Sequence, residues 1–259
     1  MNQAGRITGK VAIVTGAGTG LGRRPPGCSS GRAPTWWRSD GGRKLKEIAD
    51  ELAAAGGPGR VAVVAGDVAG QDTAEAACRW AGEEFGGLDI VVNNAGIHSR
   101  RFLVHETPVA EFEEFLAVDL LRAVPVHAGR DSLPAPAGRW RDRQHLLHGR
   151  LRRVQVLGLV LGREGGLISL TRATAADYGD AGIRANCLCL GGMEPVERGN
   201  LAPDDYVRLH EAVAAAGGTL IKRVAHVDEV AELVLFLSGS QSKSLTGAVI
   251  PFDAGFTAY

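Results

Sequence analysis

Three short runs of purely apolar residues, each halted by turn-forming residues, constrain this chain more than anything else in it. Val11-Ala12-Ile13-Val14 stops at Thr15-Gly16, Val61-Ala62-Val63-Val64-Ala65 stops at Gly66-Asp67, and Ile90-Val91-Val92 stops at Asn93-Asn94-Ala95-Gly96. A strand wet on one face alternates apolar and polar residues, whereas one that is apolar throughout is buried on both faces, as in a parallel sheet. Helical spacings lie between and beyond the runs: Leu45, Ile48 and Leu52 fall at i, i+3 and i+7, and so do Val230, Leu233 and Leu237, with Val234 at i+4. Strand and helix therefore alternate. The expected architecture is α/β, a doubly wound parallel sheet forming one domain over residues 1–259. The Ala/Gly-rich stretches 53–59 and 212–218 read as loops within it, not as linkers.

At 259 residues and 45% hydrophobic, the chain is long enough to bury a full core. Its formal net charge of zero gives no global pull toward nucleic acid or an anionic membrane. No apolar run approaches the roughly 20 residues needed to cross a bilayer, and Met1–Lys10 is too short and polar for a secretory signal. Four cysteines, Cys28, Cys78, Cys187 and Cys189, make no disulfide framework, so a reducing, cytoplasmic setting is the expectation.

The segment Thr15-Gly16-Ala17-Gly18-Thr19-Gly20-Leu21-Gly22 follows the first apolar run directly. A strand that turns on glycines lets backbone N–H groups approach a pyrophosphate, and a following helix aims its positive end at the same phosphates. A tight turn without a ligand has the same local appearance. Taken together with Asp67-Val68 after the third strand, Asn93-Asn94-Ala95-Gly96 after the fourth, Ile183-Arg184-Ala185-Asn186 with Gly191, and the closing Thr246–Gly255, this loop resembles the short-chain dehydrogenase/reductase family. The likeness covers roughly 7–22, 44–120 and 164–257.

That resemblance implies a Rossmann-type, seven-stranded parallel sheet binding NAD or NADP at the C-terminal ends of its strands, and an oxidoreductase acting on a small alcohol or carbonyl compound. By the same likeness Gly16, Gly20 and Gly22, with Thr19 and Leu21 between them, shape the phosphate turn. Asp67 accepts from the adenine amine and Val68 offers its backbone. Asn94, Ala95 and Gly96 lie along the ribose and also buttress the sheet. An acid ending the second strand binds a ribose 2′-hydroxyl and repels a 2′-phosphate; Asp40 stands near the expected spacing, which favours NAD, although Arg38 and Arg43 nearby suit a 2′-phosphate. The resemblance further implies homo-oligomers assembled through the helices after the fourth and fifth strands, and a substrate lid within Met193–Ile221.

The family's proton chemistry uses a tyrosine, a lysine four residues later that stabilises the phenolate, a serine that binds the substrate oxygen, and an asparagine in a relay. A phenol of pKa about 10 is a poor base near neutrality without such a cation. Counting back from Gly165-Gly166-Leu167-Ile168-Ser169, the lysine position is Glu164, the tyrosine position Val160 and the serine position Leu147; the asparagine position is Asp119. None of the four residue types is present there. Glu164 even reverses the charge. The tyrosines, Tyr178, Tyr206 and Tyr259, have no lysine at the required distance. No intact catalytic set is expected, and turnover by this chain is expected to be impaired. A non-catalytic nucleotide-binding or scaffolding relative is the alternative.

Two stretches, 23–43 and 121–163, break the pattern. They carry fourteen arginines, three acids (Asp40, Asp131, Asp142) and no lysine, with three of the four tryptophans and six of the eleven prolines. Pro25-Pro26 and Pro34 fall where the helix after the glycine loop belongs, and an interior proline costs about 3 kcal/mol. Arg141-Asp142-Arg143-Gln144-His145-Leu146-Leu147-His148 takes the place of an apolar fifth strand, where unpaired buried charges cost several kcal/mol each. The family pattern resumes in register after each stretch. That is the outcome of GC-rich DNA read out of frame over a bounded length, so paired, compensating frame changes near 23–40 and 121–163 are expected.

Other clusters carry less. Arg139-Trp140-Arg141 and Arg150-Leu151-Arg152-Arg153 are basic and aromatic, but no recognised motif frames them and nucleic acid is not expected as a partner. His145, His148, Cys187 and Cys189 match no standard zinc spacing; no metal site is expected, and the cysteines read as buried strand residues. His98 lies where the family's substrate loop begins and reads first as a solvated loop residue.

Overall fold

The computed structural model describes residues 7, 9–16, 35–38, 62–65, 71–96, 107–120, 143–149, 158–193 and 219–258. Seven strands form one parallel sheet: β1 (Ala12–Thr15), β2 (Thr35–Arg38), β3 (Ala62–Ala65), β4 (Ile90–Asn93), β5 (Arg143–Gly149), β6 (Ile183–Leu190) and β7 (Val249–Phe252). Their spatial order is β3-β2-β1-β4-β5-β6-β7. The helices are α1 (Gln71–Phe85), α2 (Val109–Phe115), which runs on into a π-helical turn Leu116–Leu120, α3 (Gly158–Tyr178) and α4 (Val227–Ser238), followed by a 3-10 turn Ser240–Ser242. The three apolar runs are β1, β3 and β4, and the sheet is doubly wound.

The two-residue period of a strand divides the core. Ala12 and Val14 of β1, Ile90 and Val92 of β4, and Leu188 and Leu190 of β6 share one face, where Val230, Val234 and Leu237 of α4 cover them. On the opposite face, Val11, Ile13 and Val91 meet Ala74, Ala77, Cys78, Ala81 and Phe85 of α1. These α1 positions fall at i, i+3, i+4, i+7 and i+11, and mostly small side chains let helix and sheet approach closely. Further along that face Leu167 of α3 packs on Cys187 and Cys189. All three described cysteines are buried.

Two buried threonines on α3 satisfy their hydroxyls locally: Thr171 Oγ1 donates to Leu167 O at 2.8 Å, and Thr174 Oγ1 to Leu170 O at 2.8 Å. At the start of α4, Glu229 accepts from the His226 backbone N–H at 2.8 Å, and His226 Nδ1 accepts from the Asp228 N–H at 3.3 Å. This capping box satisfies two N–H groups that the helix cannot. At the other end Arg184 of β6 donates to the carbonyls of Leu237, Leu245 and Gly239 at 3.0, 3.2 and 3.4 Å, placing a cation where the helix dipole is negative.

The fifth strand forms in the expected place, starting two residues later than the sequence reading and ending one later. Arg143–Leu147 run parallel to β4 and β6, in a register that sets Asn93 beside Leu147 and Leu147 beside Cys187. Two neighbouring strands offer complete hydrogen-bonding edges there, and backbone pairing follows whatever the side chains are. The proline-bearing stretch after the glycine loop, the 45–52 helical spacing and both Ala/Gly-rich loops lie outside the described residues. Among those described, no helix is long and apolar enough to cross a membrane.

Candidate functional site

The strand order reverses between β1 and β4: successive crossovers lead outward from β1 to β2 and β3, then return to β4 and continue the other way. The carboxyl ends of two strands diverging from such a switch point leave a crevice that no crossover covers. Thr15-Gly16 closes β1 and Asn93-Asn94-Ala95-Gly96 closes β4 at that point.

Thr15 joins the two ends. Its Oγ1, on a residue only 5% exposed, accepts from the Asn94 and Ala95 backbone N–H groups, each at 3.0 Å. The Asn94 side chain answers by donating from Nδ2 to Thr15 O at 3.0 Å and Gly16 O at 3.4 Å. Gly16 then turns with φ +66°, and a Cβ there would stand 2.5 Å from Ala95 Cα. Only glycine fits: the conformation disfavours any side chain, and the space one would need is already backbone. Of the expected nucleotide-binding residues, the structure thus brings Gly16, Asn94 and Ala95 into contact, with Gly96 next in the chain. Thr19, Gly20, Leu21, Gly22, Asp40, Asp67 and Val68 lie outside the described residues.

Thr15 was not among the residues expected to build the site. The available signal was its place: a hydroxyl ending an otherwise apolar strand, one residue before a left-handed glycine. The two asparagines also differ. Asn94 buttresses the strand ends as expected, but Asn93 is 4% exposed and neither atom of its amide has a hydrogen-bond partner among the described residues.

The expected catalytic positions fall on three adjoining elements. Asp119 is in the π-helical turn after α2, Leu147 is near the end of β5, and Val160 and Glu164 are one turn apart at the start of α3. The π-helical turn lies against α3, where a Cβ on Gly166 would sit 3.0 Å from Leu120 Cδ2. The topology therefore brings these positions together near the end of β4, where Asn93 is in register with Leu147. Among the described residues no group of three or more His, Cys, Asp or Glu side chains is placed to hold a metal ion.

The far side of the site is anchored by the chain's end. A Cβ on buried Gly191 would stand 2.7 Å from Asp253 Cα. Asp253 in turn accepts from the N–H groups of Gly255 and Thr257, each at 3.0 Å, and from Thr257 Oγ1 at 2.6 Å. At the sheet's opposite end Asp89 accepts from the Val11 N–H at 2.8 Å and pairs with Lys10 at 3.1 Å, fixing β1 against β4.

Residues 10–128 match the family model described as short chain dehydrogenase, and residues 155–257 match that described as enoyl-(acyl carrier protein) reductase. The cis-4-hydroxycyclohexanecarboxylate dehydrogenase of Sinomonas cyclohexanicum is 30% identical over 251 residues, covering 96% of this chain and 97% of its own. Carveol dehydrogenase from Mycobacterium avium, solved in complex with NAD, superposes with a TM-score of 0.84 at 22% identity, covering 98% of this chain and 100% of its own. A short chain dehydrogenase from Burkholderia cenocepacia, solved in complex with NADP, gives 0.82 at 22% identity, with 97% and 99% covered. These two structural likenesses establish the fold.

Proposed function

The chain belongs to the short-chain dehydrogenase/reductase family, and on that footing we propose that its switch-point crevice holds NAD or NADP for hydride transfer between a small alcohol and a ketone or aldehyde. The observation that carries this reading is the contact of Gly16 with Ala95 across the ends of β1 and β4. It draws two backbones together where a dinucleotide's ribose and pyrophosphate need close approach. When bound, the nicotinamide supplies the hydride donor or acceptor. The protein's share is to seat it: Gly16, with Gly20 and Gly22, Thr19 and Leu21 of the same loop, forms the phosphate turn; Asn94, Ala95 and Gly96 flank the ribose; Asp67 and Val68 meet the adenine. Asp40 favours NAD through a 2′-hydroxyl.

Alcohol oxidation releases one hydride and one proton, so a basic side chain must accept the proton. Asp119, Leu147, Val160 and Glu164 include no phenol or ammonium group. The chain with these residues is therefore proposed to bind nucleotide with little or no turnover. A purely nucleotide-binding or scaffolding role is the second reading; what favours it is the joined ends of β1 and β4 beside positions that lack a phenol and an ammonium group. Exposed Val109 and Phe112 on α2, the helix following β4, support assembly into homo-oligomers.

Titrating the protein with NADH and following nicotinamide fluorescence tests the proposal. Saturable enhancement that NAD competes away is expected, with no oxidation across a panel of alcohols. Turnover by this chain would overturn the assignment of impaired catalysis, and absence of binding by a folded protein would overturn the cofactor assignment.

A further inference from the structure

The two arginine-rich stretches supply the strands that fit the sheet least. Thr35-Trp36-Trp37-Arg38 forms β2, between β1 and β3, and Arg143-Gln144-His145-Leu146-Leu147-His148-Gly149 forms β5, between β4 and β6. The flanking strands β1 and β4 are buried along their whole length, and so is nearly all of β6. A parallel sheet covered on both faces calls for apolar strands at those two places. The family matches also end at residue 128 and resume at 155, inside the second stretch.

The genetic code limits what the neighbouring frames can say without the DNA in hand, because Trp has one codon and His, Gln, Asp and Glu have two each. In the first stretch, read one nucleotide earlier, position 37 is valine with no alternative, since the last base of one TGG precedes the first two of the next. Position 36 is leucine, methionine or valine, and position 38 is alanine or glutamate. In the second stretch, read one nucleotide later, position 142 is isoleucine or threonine, position 144 asparagine or serine, and position 145 isoleucine or threonine. The runs Trp-Trp-Arg and Asp-Arg-Gln-His lose their tryptophans, arginines and histidine, and valine at 37 with isoleucine or threonine at 142 and 145 are residues favoured in strands.

The same second frame acts on the catalytic positions. Glu164 followed by Gly165 gives lysine or arginine and nothing else. Positions 147 and 160 are each limited to serine, tyrosine, phenylalanine or cysteine, whichever codons encode the Leu147-His148 and Val160-Leu161 pairs. Resting on the oxidoreductase reading above, we infer that the gene encodes these two stretches in the neighbouring frames, giving strands β2 and β5 free of arginine and a serine, a tyrosine and a lysine at positions 147, 160 and 164. Positions 160 and 164 share one face of α3, one turn apart, so the ammonium group stands where it stabilises a phenolate. Position 147 is in register with Asn93, whose buried amide has no partner among the described residues; a hydroxyl there would provide one on the neighbouring strand. If the first frame extends through position 40, Asp40 becomes arginine or glycine. The acid that favours NAD is then gone from position 40, although glutamate at position 38 would supply one at the end of β2.

The test begins with the nucleotide sequence across codons 20–45 and 120–166. The inference expects both neighbouring frames open, with valine at 37, tyrosine at 160, lysine at 164 and serine at 147. A stop codon in either stretch, or phenylalanine or cysteine at 160, overturns it. The protein expressed with both stretches in those frames is then compared with the chain as it stands, by NADH and NADPH titration and by NAD(P)-linked alcohol oxidation. At least a hundredfold gain in turnover is expected, with NADPH bound no more weakly than NADH where position 38 is alanine. Open frames with these residues but no nucleotide binding would sustain the inference and refute the oxidoreductase reading, so the two fail separately.

Discussion

At Gly16 the backbone turns through φ +66° against Ala95, leaving no room for a Cβ. Gly16→Val adds a β-branched side chain to a left-handed residue, so a loss of about 2 kcal/mol or more is expected on a urea midpoint, together with loss of NADH binding. Thr15→Val keeps the shape but removes the oxygen that accepts from Asn94 and Ala95. The Ala95 N–H loses this acceptor and the Asn94 N–H keeps only Val92 O at 3.0 Å, a cost of about 1–3 kcal/mol, whereas Thr15→Ser should recover most of it in the same experiment. The glycine's role was legible in the sequence because a glycine-rich loop after an apolar strand has few other uses. The threonine's was not, since one hydroxyl at a strand end carries no spacing and its partners lie about 80 residues away. Nor does sequence distinguish Asn93 from Asn94: the pleat buries one amide and leaves its neighbour able to bond across the strand ends.

Among the elements, α4 shows both ends of a helix being satisfied by different means. Arg223 donates twice to Glu229, at 2.6 and 2.7 Å, and the His226 N–H donates to the same carboxylate. These bonds, the Arg223 side-chain bond foremost, hold the Glu229 carboxyl down at about 2, against an ordinary 4.5. A carboxyl whose pKa falls on folding stabilises the folded state above its unfolded pKa. Capping by Glu229 is therefore fully present above about pH 4.5 and is lost as pH falls toward about 2. A carboxyl-carbon NMR titration of Glu229 checks this, and Arg223→Met should return its midpoint toward 4.5. Arg184→Met takes one donor from each of the carbonyls of Leu237, Leu245 and Gly239, leaving them Ser242 Oγ or Asn186 Nδ2. It should still lower the thermal midpoint more than Arg223→Met does, because Arg223 is an exposed partner whose ion pair solvent largely screens. Strands β1, β3 and β4 and helix α4 were legible from period and termination alone. Strand β5 was legible only as a place in the order, because Arg143, Gln144 and His145 hide the period that a strand at the sheet's centre should show. Helix α1 escaped because its buried face is mostly alanine, which marks no hydrophobic stripe.

For the molecule as a whole, the strand order puts the glycine turn, the asparagine-ended strand and the first turn of α3 along one edge of the sheet. That edge is where a dinucleotide and its substrate would meet. On the proposed function, the phenol and ammonium group that would move the proton are missing from positions 119, 147, 160 and 164, and general acid–base groups supply about 10²–10⁴-fold in rate. The chain as it stands should therefore bind nucleotide and leave alcohols unoxidised. Family and fold were readable from motifs on either side of the two arginine-rich stretches; the substrate was not, since no residue outside them specifies one. The most direct measurement is NADH fluorescence titration of the folded chain beside its Gly16→Val variant. The account predicts saturable enhancement for the first and none for the second, whereas a cooperatively unfolding chain that never saturates, or a variant that binds equally well, would contradict it.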